Sequence, residues 1–267
     1  MEQLTDVRYE IEAGLATITI DRPERMNAFR AHTVDELIGC LKRAWASPDV
    51  GVVCLTGAGD RAFCTGGDQK QRAETGDYGP SESGLFEVEY LHRLIREIPK
   101  PVIAAVNGYA IGGGHVLHVL CDLTIAVQGA RFGQTGPRVG SFDAGFGSAY
   151  LARIVGEKRA REIWFLCRQY DAETAERWGL VNQVVPSAEL NAAVRRWADE
   201  ILALSPTSLR FLKQSFNADT EHLAGIGQLA FTGLGLFVDT DEAQEGVRSF
   251  ADKRPPEFGP YRERVSA

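Results

Sequence analysis

Residues 109–115 read Tyr-Ala-Ile-Gly-Gly-Gly-His, and residues 64–69 read Cys-Thr-Gly-Gly-Asp-Gln. Each glycine run follows a short apolar stretch with the composition of a β-strand. The run at 109–115 also opens a helical pattern, so the first N–H groups of that helix point at whatever lies before it. One such run would indicate a tight turn. The two runs together predict backbone N–H donors from separate loops that converge on one oxygen, as in an oxyanion hole.

A third glycine-rich stretch covers residues 133–147 and reads GQTGPRVGSFDAGFG. Glycine at this density predicts a backbone that passes close to another surface or takes positive φ. The stretch has one acidic residue, Asp143. Aspartate is common in turns, and it is also a common general base, so the pattern alone leaves both roles open for Asp143.

Strand and helix patterns alternate over most of the chain, which predicts a spiral α/β core. After about residue 187 the pattern is almost entirely helical. Residues 73–84 are polar and rich in turn formers, and they predict a mobile loop. The predicted strands are Val7–Ile11, Ala16–Ile20, Val52–Thr56, Val102–Val106, Leu123–Val127 and Val181–Val185; the predicted helices include Thr33–Trp45, capped by Thr33, one over 86–98, one beginning near His115 and one within Tyr150–Cys167.

Composition and charge argue against several classes of function. The 267-residue chain carries a net charge of −7 without a basic stripe, which argues against a nucleic-acid partner. It shows no apolar run of about 18 residues and no N-terminal signal pattern, so we expect a cytoplasmic protein without a membrane partner. The cysteines lie mostly in apolar surroundings and form no C-x-x-C pair, which predicts reduced, buried thiols. His115 and His118 share a helix face, but no third ligand has a convincing spacing, and we expect no metal.

Two enzyme motifs are incomplete or missing. Residues 57–62 read Gly-Ala-Gly-Asp-Arg-Ala after a strand, which matches the dinucleotide fingerprint in outline. The acidic residue that should follow about twenty positions later falls in the polar loop. The chain also lacks G-x-S-x-G, so the simplest serine hydrolase is disfavoured.

The glycine runs, with Arg22-Pro23 and Asn27-Ala28 before them and Phe132-Gly133-Gln134 after them, resemble the crotonase (enoyl-CoA hydratase/isomerase) superfamily over essentially the whole chain. The resemblance implies a crotonase-like α/β spiral of ββα units over residues 1–200. It implies a helical region over 201–267 that forms homotrimers or homohexamers. The implied substrate is an acyl-CoA, with coenzyme A as part of the substrate and no tightly bound cofactor.

The resemblance also assigns the site. The thioester oxygen would be held by the N–H of Gly113 and that of Thr65, Gly66 or Gly67. The positions implied to contact substrate or CoA are Arg22, Arg25, Cys64, Gly66, Asp68, Gln69, Tyr109, Ile111, Gly112 and Lys253. The hydratases use two glutamates, whose positions are here Val116 and Gly136. Simple enoyl-CoA hydration is therefore disfavoured.

Ser141, Asp143 and the segment 160–164 resemble two relatives, 2-ketocyclohexanecarboxyl-CoA hydrolase, which opens a ring, and 1,4-dihydroxy-2-naphthoyl-CoA synthase, which closes one. The resemblance makes Asp143 the catalytic carboxylate, and an apolar acyl pocket should raise its pKa. Ser141 would hold it or bind the substrate ketone. The residues implied for a bicarbonate site, as in the synthases, are Gln134, Thr135, Gly136 and Trp164.

Both relatives carry an intersubunit tyrosine where this chain has Val238. Either another hydroxyl, such as that of Tyr78 or Ser141, replaces it, or the substrate differs from those of both relatives. We predict ring-cleaving hydrolysis of a cyclic 2-oxoacyl-CoA. The alternatives are naphthoyl-CoA synthesis, a generic enoyl-CoA hydratase or isomerase, and a non-catalytic subunit with the same fold.

Overall fold

The computed structural model describes residues 4–264. Within them, the strands are β1 Val7–Glu12, β2 Leu15–Ile20, β3 Val52–Gly57, β4 Ala62–Cys64, β5 Val102–Val106, β6 Tyr109–Ile111, β7 Leu123–Val127, β8 Arg131–Gly133, β9 Gln169–Asp171 and β10 Gln183–Val185. The α-helices are α1 Ala31–Ala46, α2 Gln69–Thr75, α3 Val88–Glu97, α4 Gly113–Leu120, α5 Leu151–Val155, α6 Glu157–Leu166, α7 Ala172–Arg177, α8 Leu190–Leu202, α9 Pro206–Ala218, α10 His222–Phe237 and α11 Asp241–Ala251.

The main sheet has six strands in the order β1-β2-β3-β5-β7-β10. β1 and β2 form an antiparallel hairpin, and each of the other pairs is parallel. The central strands β3 and β5 are buried along almost their whole length. They read as continuous apolar runs because helices cover both faces of a parallel sheet.

A second sheet has the order β4-β6-β8-β9, with three residues in each strand. β4, β6 and β8 run parallel, and each follows a strand of the main sheet after a short turn. A main-sheet strand, a short strand and then a helix therefore recur along the chain, which confirms the predicted spiral of ββα units. The sequence did not predict the short strands, because three residues are too few to show a period.

Several helix and loop boundaries in the structure differ from the predicted ones. Helix α1 starts at Ala31, and Thr33 lies inside its first turn, where its hydroxyl accepts the N–H of Arg30 at 3.2 Å. Helix α4 starts at Gly113 rather than near His115. The loop predicted over 73–84 begins later, because α2 extends to Thr75.

The C-terminal helices pack against the core and leave an apolar surface outside. Phe211 and Phe216 of α9 and Leu229 and Leu236 of α10 have exposed fractions of 67%, 75%, 75% and 77%. Exposed apolar side chains in such numbers are typical of a protein interface. The homotrimer or homohexamer stays a prediction.

No single helix between residues 4 and 264 is long and apolar enough to cross a membrane, although α10 and α11, bent by 79° at their junction, would pass as a pair by length and composition alone. All five cysteines are free thiols, four of them buried.

Lys213 joins α9 to the core and yields a stability prediction. Its side chain is 6% exposed, and its Nζ donates to the Ile95 and Lys100 carbonyls at 3.1 and 3.0 Å and to Asp122 Oδ2 at 2.7 Å. Lys213→Met would leave the Ile95 and Lys100 carbonyls without this donor, while the exposed Asp122 keeps the Val102 N–H. We expect the free energy of unfolding in urea to fall by about 2 kcal/mol, as when a buried hydrogen-bond acceptor loses its partner.

Lys158→Met is the matched control, because Lys158 is exposed on α6. This change should stay within about 0.5 kcal/mol of the parent. Equal effects of the two substitutions would contradict a bridging role for Lys213.

Candidate functional site

A cavity of about 600 Å³ opens where the parallel strands of the second sheet end. The loops after β4, β6 and β8 meet there, because parallel strands present their carboxyl ends at one edge. The sequence-predicted residues that line it are Arg25, Thr65, Gly66, Gly67, Asp68, Gln69, Tyr78, Tyr109, Ile111, Gly112, Gly113, Gln134, Thr135, Gly136, Ser141, Asp143 and Trp164.

The first two loops touch each other through their glycines. A Cβ on Gly66 would lie 2.8 Å from the Gly113 nitrogen, and one on Gly114 would lie 1.9 Å from the Cys64 carbonyl oxygen. Gly66 also has φ of +84°, which side chains rarely tolerate. Only glycine therefore permits the contact between the loops.

Two N–H groups are available beside this contact. Gly113 is the first residue of α4, so its N–H has no acceptor within the helix. In the other loop, the Gly66 carbonyl and the Asp68 N–H both bond to Phe29. Because backbone groups alternate along an extended chain, the Gly67 N–H points away from Phe29. Among Thr65, Gly66 and Gly67, the geometry favours Gly67 as the second donor.

Asp143 lies half-buried in the cavity wall. Burial raises the pKa of its carboxyl to about 7, while the Gly147 N–H, which donates to Oδ1 at 3.0 Å, opposes the rise. The other acidic residues that line the cavity are Glu24 and Asp68. Glu24 is exposed and Asp68 is ion-paired. Among the described lining residues, Asp143 is thus the carboxylate placed to exchange a proton near neutral pH.

Two hydroxyl groups share the cavity with Asp143. Ser141 lies two residues before Asp143 in the sequence. Its N–H donates to the Gly136 carbonyl at 2.9 Å, which holds this part of the loop in place. The Tyr78 ring stacks on Phe86 with centroids 4.6 Å apart, and its nearest atom lies 2.5 Å from where a Cβ on Gly67 would be. Tyr78 therefore covers the loop that carries the second N–H donor.

Two residues expected to contact CoA are instead part of the interior. Arg22 is 7% exposed and pairs with Asp68 at 3.0 Å, and it does not line the cavity. Cys64 is fully buried, and burial raises the pKa of its thiol to about 12. Both predictions are corrected, because neither side chain can reach a ligand without breaking the packing. Lys253 is exposed and also lies outside the lining of the cavity.

Asp68 lines the cavity, but its carboxylate is already committed. Besides Arg22, it accepts the N–H groups of Lys70 and Gln71 at 3.1 Å each, which caps α2. In the described structure, Asp68 therefore holds the loop that leads into α2 rather than binding substrate.

Two cations at the cavity are not predicted from the sequence. Lys70 and Arg138 line the cavity together with Arg25, and both are exposed. They are isolated in the sequence, so only the folding of their two loops to one edge groups them. Three cations at one opening suit a ligand with phosphate groups.

All four residues of the implied bicarbonate site line the cavity. Trp164 Nε1 donates to the Gly147 carbonyl at 2.7 Å, and the Gln134 amide nitrogen lies 3.2 Å from His115 Nδ1. The single N–H of the Trp164 indole is therefore engaged within the protein, whereas the Gln134 amide has a second N–H. The bicarbonate site stays a prediction.

His115 and His118 are buried side by side. Burial lowers the pKa of His115 to about 3 and holds that of His118 well below its usual value. Between residues 4 and 264, no three histidine, cysteine or acidic side chains are grouped to ligate a metal.

Comparison with known proteins agrees with the observed fold. A family model described as enoyl-CoA hydratase/isomerase matches residues 10–261. An enoyl-CoA hydratase from Mycobacterium avium subsp. paratuberculosis K-10 is 28% identical, with a TM-score of 0.85 over 96% of this chain and 99% of its own. A carnitinyl-CoA hydratase from Mycobacterium avium is 30% identical, with a TM-score of 0.85 over 97% and 100%. This chain belongs to the enoyl-CoA hydratase/isomerase family and is an acyl-CoA enzyme with the crotonase fold.

Proposed function

We propose that this enzyme opens the ring of a cyclic 2-oxoacyl-CoA by hydrolysis, the activity of 2-ketocyclohexanecarboxyl-CoA hydrolase. The main support is the position of Asp143 as a cavity carboxylate with a pKa near 7. The residues at the two positions that carry glutamates in the hydratases give further support to ring hydrolysis. Val116 is fully buried, and a Cβ on Gly136 would lie 2.7 Å from the Ser141 carbonyl oxygen. Hydration by two carboxylates therefore has no residues to perform it.

The proposed reaction starts with water. Asp143 removes a proton from a water molecule, whose oxygen adds to the ring ketone carbon. The bond between that carbon and Cα then breaks, and its electron pair forms the enolate of the thioester. The N–H groups of Gly67 and Gly113 stabilise the enolate oxygen. Asp143 returns the proton to Cα, and the ketone carbon ends as a carboxylic acid at the far end of the opened chain.

A hydroxyl donor to the ketone oxygen would assist the attack. Since Val238 replaces the tyrosine of the relatives, Tyr78 and Ser141 are the candidates, and both line the cavity. The CoA phosphates would lie against Arg25, Lys70 and Arg138. The mechanism requires neither a tightly bound cofactor nor bicarbonate.

Ring closure by naphthoyl-CoA synthesis is the second candidate. It forms the same kind of thioester enolate, and Thr135, Gly136 and Trp164 line one cavity with Asp143. The Trp164 N–H already donates to the Gly147 carbonyl, which weighs against a bicarbonate base at this position.

One assay separates these activities. The enzyme is incubated with 2-oxocyclohexanecarboxyl-CoA, o-succinylbenzoyl-CoA and crotonyl-CoA, and the products are identified by mass spectrometry. We expect the first substrate to gain the mass of one water molecule while its thioester stays intact. Turnover of o-succinylbenzoyl-CoA alone would establish the synthase, and turnover of crotonyl-CoA alone would establish a hydratase.

Asp143→Asn tests the base. The amide has nearly the same shape but cannot take the proton, so we expect kcat to fall by about two orders of magnitude. Asp60→Asn makes the same change at an exposed residue outside the cavity and should leave kcat unchanged. Normal turnover by folded Asp143→Asn would remove Asp143 from the mechanism.

The pH profile tests the pKa of Asp143. A base works only when deprotonated, so kcat/KM should be flat above about pH 7 and fall about tenfold for each pH unit below it. An unperturbed aspartate would keep kcat/KM constant down to about pH 4. A flat profile between pH 5 and pH 8 would contradict the proposed base.

Gly113→Pro tests the oxyanion donor and has a built-in control. Proline is tolerated at the first position of a helix, and it removes the N–H. Gly113→Ala keeps the N–H but adds the same Cβ, which would meet the Phe29 ring at 2.6 Å. We expect kcat of the proline variant to lie about 100-fold or more below that of the alanine variant. Equal rates would show that this N–H does not bind the substrate oxygen.

A further inference from the structure

We propose that Trp164 is a positioning residue whose indole N–H holds Gly147 in place and thereby fixes the carboxylate of Asp143. The inference rests on the proposed function in taking Asp143 as the base. The link consists of two hydrogen bonds that share one glycine.

Gly147 is held through both of its backbone polar groups. Its N–H donates to Asp143 Oδ1 at 3.0 Å, and its carbonyl accepts the N–H of Trp164 Nε1 at 2.7 Å. A Cβ on Gly147 would lie 2.6 Å from Asp143 Oδ1. The carboxylate therefore packs directly on the Gly147 backbone. Any movement of this backbone moves the hydrogen bond to Asp143 Oδ1, which is the only one that the Asp143 side chain makes within residues 4–264.

The segment that contains Gly147 depends on outside support. Residues 146–150 form a single π-helical turn, a wide and rare geometry found often at functional sites. On one side, the buried Arg96 guanidinium lies over the rings of Phe146 and Tyr150, 5.0 and 4.7 Å from their centroids. Trp164, on α6, supplies a directed hydrogen bond to the turn.

The Trp164 side chain is itself rigid enough to serve this purpose. It is 8% exposed and belongs to the apolar core. The ring also borders Gly136, where a Cβ would lie 3.1 Å from Cζ3. An indole fixed in this way can hold the Gly147 carbonyl in one position, and a small displacement of a catalytic group is enough to slow a reaction substantially.

The hydrogen bond from Gly147 stabilises the charged form of Asp143 and lowers its pKa against the effect of burial. Loss of the indole N–H should loosen this bond, so the pKa of Asp143 should rise. At pH 7 a smaller fraction of the enzyme would then carry the active carboxylate, and that carboxylate would be less well aimed.

Trp164→Phe tests the proposal, because it keeps an aromatic ring and removes the N–H. We expect kcat to fall about 10- to 100-fold with KM changed less than about twofold. We also expect the acidic limb of the pH–rate profile to move to higher pH. Trp178→Phe is the matched control: this residue packs on Tyr170 outside the cavity, and the change should alter none of these quantities.

A measurement without substrate separates this proposal from the proposed function. The pKa of Asp143 is followed by ¹³C NMR of the aspartate carboxyl groups in the free enzyme, with Asp143→Asn for assignment. A raised pKa in Trp164→Phe supports the link even if Asp143 is not the base. An unchanged pKa overturns it, whatever the activity. Turnover by Asp143→Asn would overturn the proposed function alone.

Two further outcomes are decisive. If sodium bicarbonate stimulates the parent enzyme but not Trp164→Phe, the indole N–H binds the anion, and the positioning role is wrong.

If Trp164→Phe fails to fold, Gly147→Ala replaces it, because its Cβ would displace the same carboxylate. Unchanged kcat and unchanged Asp143 pKa in Gly147→Ala would then overturn the proposal.

Discussion

The contact between two glycine loops is the constraint on which the site depends. Gly66 approaches the nitrogen of Gly113, and Gly114 lies against the Cys64 carbonyl, at distances that exclude a Cβ. The short strands β4 and β6 bring the loops to one edge of the second sheet. The buried ion pair between Arg22 and Asp68 then holds the loop that follows β4 in place. Backbone N–H groups held in this way need no reorganisation when charge develops on a ligand.

The chemistry of the cavity depends on the side chains that lie beside these two N–H donors. Val116 and Gly136 carry no ionisable group, while Asp143 has lost enough solvation to titrate near neutral pH. A single carboxylate that both takes and returns a proton suits a reaction with one enolate intermediate. In the glycine-rich stretch, Gly147 donates to the Asp143 carboxylate and accepts the indole N–H of Trp164.

The sequence predicted the spiral, the main-sheet strands and the glycine loops, because long apolar periods and glycine runs are local signals. It could not predict that Arg22 is interior, since Arg22 is buried in a pair with Asp68, which lies 46 residues further along the chain. It assigned Trp164 to an anion, because only the structure shows that its N–H already has the Gly147 carbonyl as acceptor. Lys70 and Arg138 were missed for the same reason, since only folding groups them with Arg25.

A crystal structure with acetoacetyl-CoA bound tests the central claim most directly. Our account predicts the thioester oxygen within about 3 Å of the Gly67 and Gly113 nitrogens, as a hydrogen bond requires, with the Asp143 carboxylate facing the acyl group. A thioester oxygen that points away from both nitrogens, or an Asp143 side chain turned to bulk solvent, would contradict it.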